Sequence, residues 1–462
     1  MSPTKSSSKY VIFAVCCVSL LLSTMSGTSV SVAFPVITST FNTSLVVAGW
    51  ILSINSLVGA VVMPLAGRAG EIFGIKKAYL MSLILFTVGS LLCAIAPNIP
   101  LLIAFRFIQS IGNTGFMPLA VSIVAEKFPQ SRQRAVGLLT STFTIGMLIG
   151  PNLGGWLVST YGWSSVFWLN VPFGIILFVG TILVLRPSPR SKNTLDLVSV
   201  GLFAGVLFTL IAGFSELDNF MDASWVIPIV LFAVAVILAV LFFKHEKRSQ
   251  SKIIDAGLLT FKPFVGSNLY FFTSGFAMMG VSSFLPLFLV KVYGMSTLES
   301  GILLTPRSAG TMIAAVVSSF FLTRWGYRWP MLVGLLLSAF CLVILSMEYQ
   351  AVNILGLHLD AAIWISLVMF GTGIGMGIGI SAADNVGIDL MPERAGVITG
   401  MKGLFRNMGG AIGVALVSLV LDKTGQTPAS FQIVFIVVSA LFILTIPLLF
   451  IMPKNPASRY SY

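Results

Sequence analysis

Apolar stretches long enough to cross a bilayer recur fourteen times along this chain, separated by short polar or basic segments. A hydrocarbon layer of about 30 Å takes about 20 helical residues to cross, and most of the stretches reach that length. Six come early, at 10–34, 45–66, 77–96, 100–125, 135–158 and 164–185. Two follow at 195–215 and 224–243. Six more occupy 264–290, 298–322, 330–348, 361–383, 395–421 and 430–452. Lipid offers no hydrogen-bond partner to the backbone, so each run predicts a helix that satisfies its own peptide groups. The expected fold is an all-α membrane protein with two pseudo-symmetric six-helix bundles and two extra transmembrane helices. That plan divides the chain at 1–186, 187–260 and 261–462. Lys5 and Lys9 precede the first run, as in a signal peptide, but no A-x-A-like site follows it and thirteen more runs do. The first run is therefore expected to stay as a helix.

Glycines mark the two halves as copies. Gly137, Gly146, Gly150-Pro151 and Gly154-Gly155 form a ladder in the fifth run. Gly400, Gly409 and Gly413 repeat its spacings of nine and four residues in the thirteenth. Glycines four apart share a helix face and let a second backbone approach closely. Each half also carries a tight glycine-containing basic turn at the same place: Gly67 to Lys77, and Thr323 to Arg328. Repeats of this kind put a substrate site near the midplane, between the halves.

Composition and charge narrow the class. The chain has 462 residues, 56% hydrophobic and 9% charged, which bars a soluble fold. A net charge of +12 would point to nucleic acid in a soluble protein. Here the charge sits in loops. Of 27 Lys and Arg, four lie at membrane depth, two (Lys291, Lys423) in one set of loops, and twenty-one in the alternate set and the tails. The positive-inside rule then places both termini in the cytoplasm and the protein in the plasma or inner membrane. No nucleic-acid partner is expected. The four cysteines lie within apolar runs without metal-ligand spacing, and neither a metal nor a cofactor is expected. There is no Ser-His-Asp order and no phosphate loop, so the chain is not read as an enzyme. The alternate glycines from Gly371 to Gly379 lie inside a membrane run with no strand before them, and are read as helix packing.

Several motifs carry a family likeness over nearly the whole length. Gly137, Gly146, Gly150, Pro151, Gly154 and Gly155 resemble the antiporter motif of the fourteen-span drug:proton antiporter branch of the major facilitator superfamily. Trp163, Phe167, Asn170 and Pro172 resemble the run that opens its sixth span, and Arg106 to Gln109 its R-x-x-Q-G motif, with Ser110 for the glycine. Gly67 to Lys77 is similar to the signature loop, with Glu71 at its acidic position and Gly74 as its second glycine. Leu285-Pro286, Gly294, Gly301 and Pro306 match the later spans, as does Arg406 to Gly413. The resemblance implies alternating access, with Glu71, Lys76 and Lys77 as a cytoplasmic latch and Gly67, Gly74, Gly146, Gly150, Pro151, Gly154 and Gly155 as gating positions. Two departures stand out. Ser26 replaces the usual aspartate of the first span, and Asn55 the usual tyrosine of the second.

Polar groups inside the runs are the candidate chemistry, because burying charge in lipid is costly. Arg106, Arg307, Lys402 and Arg406 fall at membrane depth. The acids Glu71, Glu126, Asp384, Asp389 and Glu393 fall near the ends of runs, which leaves those cations without a central carboxylate and favours an anionic, zwitterionic or hydrogen-bonding solute. Ser26, Asn55, Arg106, Gln109, Asn113, Asn268, Lys402 and Arg406 are candidate substrate contacts. Interhelical hydrogen bonding or gating is the alternative role for each. The expected partners are a small organic solute, the bilayer and protons as a coupling ion, with a single copy acting alone. The leading expectation is efflux of small organic molecules. The alternative is an uptake facilitator for a small nutrient, such as a riboflavin-like vitamin, without proton antiport.

Overall fold

The computed structural model describes residues 4–128, 131–186, 196–217, 225–249, 262–349, 351–354, 357–390 and 395–452. Fourteen long helical segments follow one another. They are α1 (Thr4–Phe41), α2 (Leu45–Phe73), α3 (Ile75–Ala94), α4 (Ile99–Lys127), α5 (Arg132–Tyr161) and α6 (Ser165–Val184). The inserted pair is α7 (Leu197–Glu216) and α8 (Val226–Glu246). The second half holds α9 (Lys262–Tyr293), α10 (Thr297–Leu303 continuing as Thr305–Trp325), α11 (Arg328–Ser346), α12 (Ala361–Leu390), α13 (Ala395–Lys423) and α14 (Pro428–Leu449). Among the described residues thirteen of these are long and apolar enough to cross a membrane, and α5, 30 residues long, is the fourteenth. Their outward faces are apolar: Ile176, Leu183, Val236 and Leu444 are all exposed, as a lipid-facing belt requires.

Three departures from the apolar pattern have local causes. Pro306 has no N–H to give to the carbonyl one turn back, and α10 breaks just before it, at Leu304. Midway along α9 a π-helical stretch, Phe276–Val281, interrupts the α-helical ladder. Between α11 and α12 a hairpin forms, β1 (Ala351–Ile354) against β2 (Leu357–Asp360), antiparallel with Val352 opposite Leu359. The alternation of Val352, Ile354, Leu357 and Leu359 is a strand pattern that the expectation of helices and loops passed over.

The pseudo-repeat extends to side-chain chemistry. Gly74 (φ 88°) closes the turn between α2 and α3, and Gly326 (φ 68°) the turn between α10 and α11, both in a region that side chains disfavour. Just beyond the first, Lys76 Nζ donates to Ile182 O near the end of α6, at 2.8 Å. Just beyond the second, Arg328 Nε donates to Met452 O at 2.6 Å and its Nη2 to Phe450 O at 2.9 Å, past the end of α14. In each half a cation after the turn thus caps the carbonyl end of the half's last helix, where the helix dipole favours positive charge.

The two halves meet at the end of the bundle opposite residue 4, called here the far end. Phe34 of α1 stands edge-on to Phe284 of α9 at 5.3 Å, and both are buried. One apolar core there draws on both halves, with Ile37, Leu45 and Ile51 on one side and Phe288, Leu421 and Phe435 on the other. Nearer the opposite end, a second core is built from the first half alone, around Tyr79, Phe86 and Phe116. The inserted α7 lies across the seam where α2 and α13 touch. Its Phe203, Leu207 and Ile211 pack with Ile54 and Leu57 of α2 and Met401 and Leu404 of α13.

Candidate functional site

The glycine ladder is a set of backbone contacts. A Cβ on Gly146 or Gly150 would run into the hydroxyls of Thr24 or Thr28, and one on Gly154 would stand 2.7 Å from Ser29 Cα. Ser29 Oγ also donates to Gly150 O at 2.8 Å, so α1 and α5 are bonded as well as packed. Gly155 turns the other way and meets the second half: a Cβ there would lie 3.0 Å from Thr297 O and 3.1 Å from Leu298 Cα. Gly301 answers it, facing the carbonyl of Pro151. In the second half Gly409 and Gly413 meet the backbone of Phe272 and Phe276 on α9, the second at 2.6 Å. Gly67 and Gly400 have nothing within 4 Å of a built Cβ, so shared spacing alone does not make a contact.

Further bonds tie the halves together. Asn152 Nδ2 donates to Thr305 Oγ1 at 2.6 Å, Ser308 Oγ to Met147 O at 3.3 Å, and the Leu45 amide to Asp422 Oδ1 at 2.7 Å. Sequence reasoning missed Asn152, Thr305 and Asp422, because one-letter neighbours give no sign of a partner more than 150 residues away.

The charged candidates separate by their partners. Arg106 is buried; its Nη1 donates to Gln109 Oε1 at 2.5 Å and its Nε to Ile51 O at 3.4 Å, with the guanidinium 5.8 Å from the Phe167 ring. Gln109 passes the chain on, Nε2 to Ser90 Oγ at 2.7 Å. The expected absence of a carboxylate near Lys402 is corrected. Its Nζ, at 4% residue exposure, donates to the backbone carbonyl of Asp384, lies 3.9 Å from that residue's carboxylate, and sits 5.4 Å from the Phe271 ring. Asp384 lies six residues inside the end of α12, and folding carries it to Lys402 because α12 and α13 run antiparallel. Arg406 is half-buried, and its Nε has no partner among the described residues.

The uncharged candidates are dispersed. Ser26 is buried and accepts from Asn170 Nδ2 at 3.0 Å, so the usual aspartate position is engaged with α6. Asn55 and Asn113 are half-buried, and Asn113 Oδ1 is buried without a partner. At 1.5 Å per residue Asn55 lies roughly 15 Å and Ser26 and Asn113 roughly 20 Å from the far end of their helices, near mid-membrane. Asn268 lies roughly 35 Å down α9 from Tyr293, well below them by the same measure. Its Nδ2 bonds to Phe264 O at 2.8 Å within its own helix. Lys76 is engaged at α6, and the side chain of Glu71 lies outside the described residues.

The alternate glycines of α12 serve three neighbours. Gly373 and Gly377 press on the carbonyls of Arg307 and Thr311 in α10, Gly371 and Gly375 press on Cys341 and Ser338 in α11, and Gly379 presses on the Tyr270 hydroxyl of α9. This seats Arg307 at the centre of the second half, although the sequence placed it among the cations without ranking it as a site.

The model of the Major Facilitator Superfamily matches residues 16–414 and again 269–461, the second match falling on the second half. The multidrug transporter protein MdtP of Bacillus subtilis (strain 168) is 28% identical over 423 residues, covering 90% of this chain and 76% of that one. The riboflavin transporter RibZ of Clostridioides difficile (strain 630) is 26% identical over 418 residues, covering 89% and 88%. A crystal structure of a point mutant of the nucleoside transporter NupG superposes with a TM-score of 0.67 at 13% identity, covering 95% of this chain and 99% of that one. With two glycine-packed helical halves and a family match over nearly the whole length, the chain belongs to the Major Facilitator Superfamily of membrane transporters.

Proposed function

We propose that this protein exports small organic molecules across the plasma or inner membrane by rocking its two halves about a site at mid-membrane. The halves are residues 1–186 and 261–462, with 187–260 as the insertion, and one copy suffices because it carries both. The single observation behind the reading is the far-end seam. Between α5 and α10 it consists of glycine-to-backbone contacts and a few side-chain bonds, Gly155 on Leu298, Gly301 on Pro151 and Asn152 on Thr305, with no bulky side chain crossing at those points. That part of the seam can separate without exposing large side chains, while Phe34 against Phe284 belongs to the apolar core that the halves share beside it. The charge of the loops supports a far end outside and both termini in the cytoplasm. Gly67 and Glu71, in the last two turns of α2 rather than in the loop expected there, and Gly74 at the turn that follows would close the cytoplasmic side in the opposite state. MdtP, named a multidrug transporter, supports the outward direction.

A second reading is favoured by Ser26. With a hydroxyl bonded to Asn170 where the antiporter branch carries aspartate, the first half lacks its usual proton carrier. RibZ, named a riboflavin transporter, fits a facilitator that imports a neutral solute. Proteoliposomes with an imposed pH gradient separate the two, using riboflavin, ethidium and aromatic carboxylates as solutes. Export by proton antiport is expected to accumulate solute on the acidic side and to stop when an ionophore collapses the gradient. Equilibration in either direction, indifferent to the gradient, would favour the facilitator. Movement of no solute overturns both.

A further inference from the structure

Arg307 is one of three cations at membrane depth, with Arg106 and Arg406, that have no carboxylate within ion-pairing distance among the described residues. Arg106 is held by an amide oxygen and a backbone carbonyl, and Lys402 by the carbonyl and carboxylate of Asp384. Arg307 Nη1 donates to Ser282 Oγ and its Nη2 to Met376 Sδ at 3.1 Å, both uncharged acceptors. Its Nε is buried without a partner, and among the described residues no carboxylate lies within ion-pairing distance. The three helices bring this group to one depth. Arg307 lies roughly 15 Å from the far end of α10, Ser282 roughly 16 Å from that of α9, and Met376 roughly 22 Å from that of α12, at 1.5 Å per residue. That is the middle of a bilayer core about 30 Å thick.

A charge at that depth is costly to hold. A hydroxyl and a thioether accept from it but carry no negative charge to neutralise it. The side chain is not fully enclosed, since Arg307 is only half-buried. Its backbone is fixed by the close approach of Gly373, and the π-helical stretch of α9 ends at Val281, beside Ser282. Irregular helix at membrane depth recurs at functional sites.

We propose that Arg307 and Ser282 form the receptor for an anionic group on the transported solute, a carboxylate above all. This rests on the transporter reading and names its substrate class. The planar guanidinium presents parallel N–H donors that match the two oxygens of a carboxylate. The Ser282 hydroxyl, which accepts from Arg307, keeps its own proton to donate to the same anion. A lipophilic cation meets an unpaired positive charge instead. Next to Arg307, Ser308 bonds to Met147 and Thr305 to Asn152 across the seam, so occupancy of the site acts on the contact that must open.

The test uses the purified full chain in detergent and follows its thermal unfolding with benzoate, 1-naphthoate and the two matching amides. The carboxylates are expected to raise the melting temperature in proportion to concentration, and the amides are not. Arg307→Gln should weaken the carboxylate response at least tenfold, and Arg307→Lys should keep part of it. Should Arg307→Gln fail to fold, Ser282→Ala decides, with an expected several-fold weakening. Equal stabilisation by the amides, stabilisation by neither, or a response intact in the variants overturns the site. Proteoliposome transport of the two carboxylates, riboflavin and ethidium is scored beside it. If any of these moves without an anion response in the melting assay, the site falls and the transporter reading stands. If nothing is transported, the transporter reading falls.

Discussion

A single missing methyl group decides whether α1 and α5 can touch. At Gly150 a Cβ would collide with the Thr28 hydroxyl and approach Met25 Cα to 3.0 Å, and both neighbours belong to a packed helix. At Gly400, which has the same place in the second ladder as Gly137 in the first, a Cβ meets nothing within 4 Å. The two glycines should therefore respond oppositely. Gly400→Ala should leave the melting temperature unchanged or raise it, by up to about 1 kcal/mol of helix preference for alanine over glycine. Gly150→Leu should lower it and abolish transport while the protein still reaches the membrane. Detergent melting curves with parallel transport assays check both, and normal transport by Gly150→Leu would sink the close-contact account. Lys402 teaches the same lesson for charge, since its counter-ion Asp384 is eighteen residues away and invisible to a count of acids by span.

At the scale of helices, the inserted pair is held at its basic end by a polar clasp. Asp196 caps α7, its Oδ1 accepting from the Ser199 amide at 3.1 Å, while its Oδ2 accepts from Ser249 Oγ at 2.5 Å and lies 2.8 Å from His245 Nε2. Ser199 Oγ reaches on to Glu246 Oε2 at 2.8 Å. The Ser249 hydrogen bond first, and then the Ser199 amide and His245, hold the Asp196 carboxyl well below the usual carboxylate range. A folded-state pKa below the unfolded one adds stability at neutral pH. That stability begins to go as pH falls past the unfolded value of about 3.9 and is lost further as the folded value is approached. Hydrogen exchange at the Val198 and Ser199 amides, corrected for intrinsic rates, should therefore show less protection at pH 3 than at pH 6. Asp196→Asn should flatten that difference. Equal protection at both pH values in the unmodified protein would show that the carboxylate is not what fixes the start of α7.

For the whole molecule, the far-end seam is the contact that must break if the halves rock as proposed. Gly301 faces the Pro151 carbonyl too closely for any side chain, and Gly155 lies beside Leu298. Gly301→Leu should wedge the halves apart there without touching the core of either one. Spin labels on α5 and α10 at that end are expected to shift to longer distances, and transport to fall. An unchanged distance distribution would mean that the seam does not limit closure. Because α7 crosses the joint between α2 and α13, with Leu207 among Leu57, Met401 and Leu404, the insertion must slide or ride with one half when the seam opens.

Fourteen apolar runs, the repeated ladder and the loop charges were legible along the chain because lipid imposes its rules segment by segment: length, polarity and glycine spacing are local properties. The same local rules foresaw helices at α9 and α10, but not the π-helical stretch or the break at Leu304. Those depend on which hydrogen bonds each helix gives up against its neighbours. Which ladder glycine makes a contact, Gly150 or Gly400, was decided only by where α1 and α9 come to rest. Partners more than a hundred residues apart, Asn152 with Thr305 and Ser26 with Asn170, had no signature because a hydrogen bond depends on position in space. The isolation of Arg307 belongs to the tertiary structure for the same reason: the sequence supplies four cations, and only folding determines which of them are given an anion.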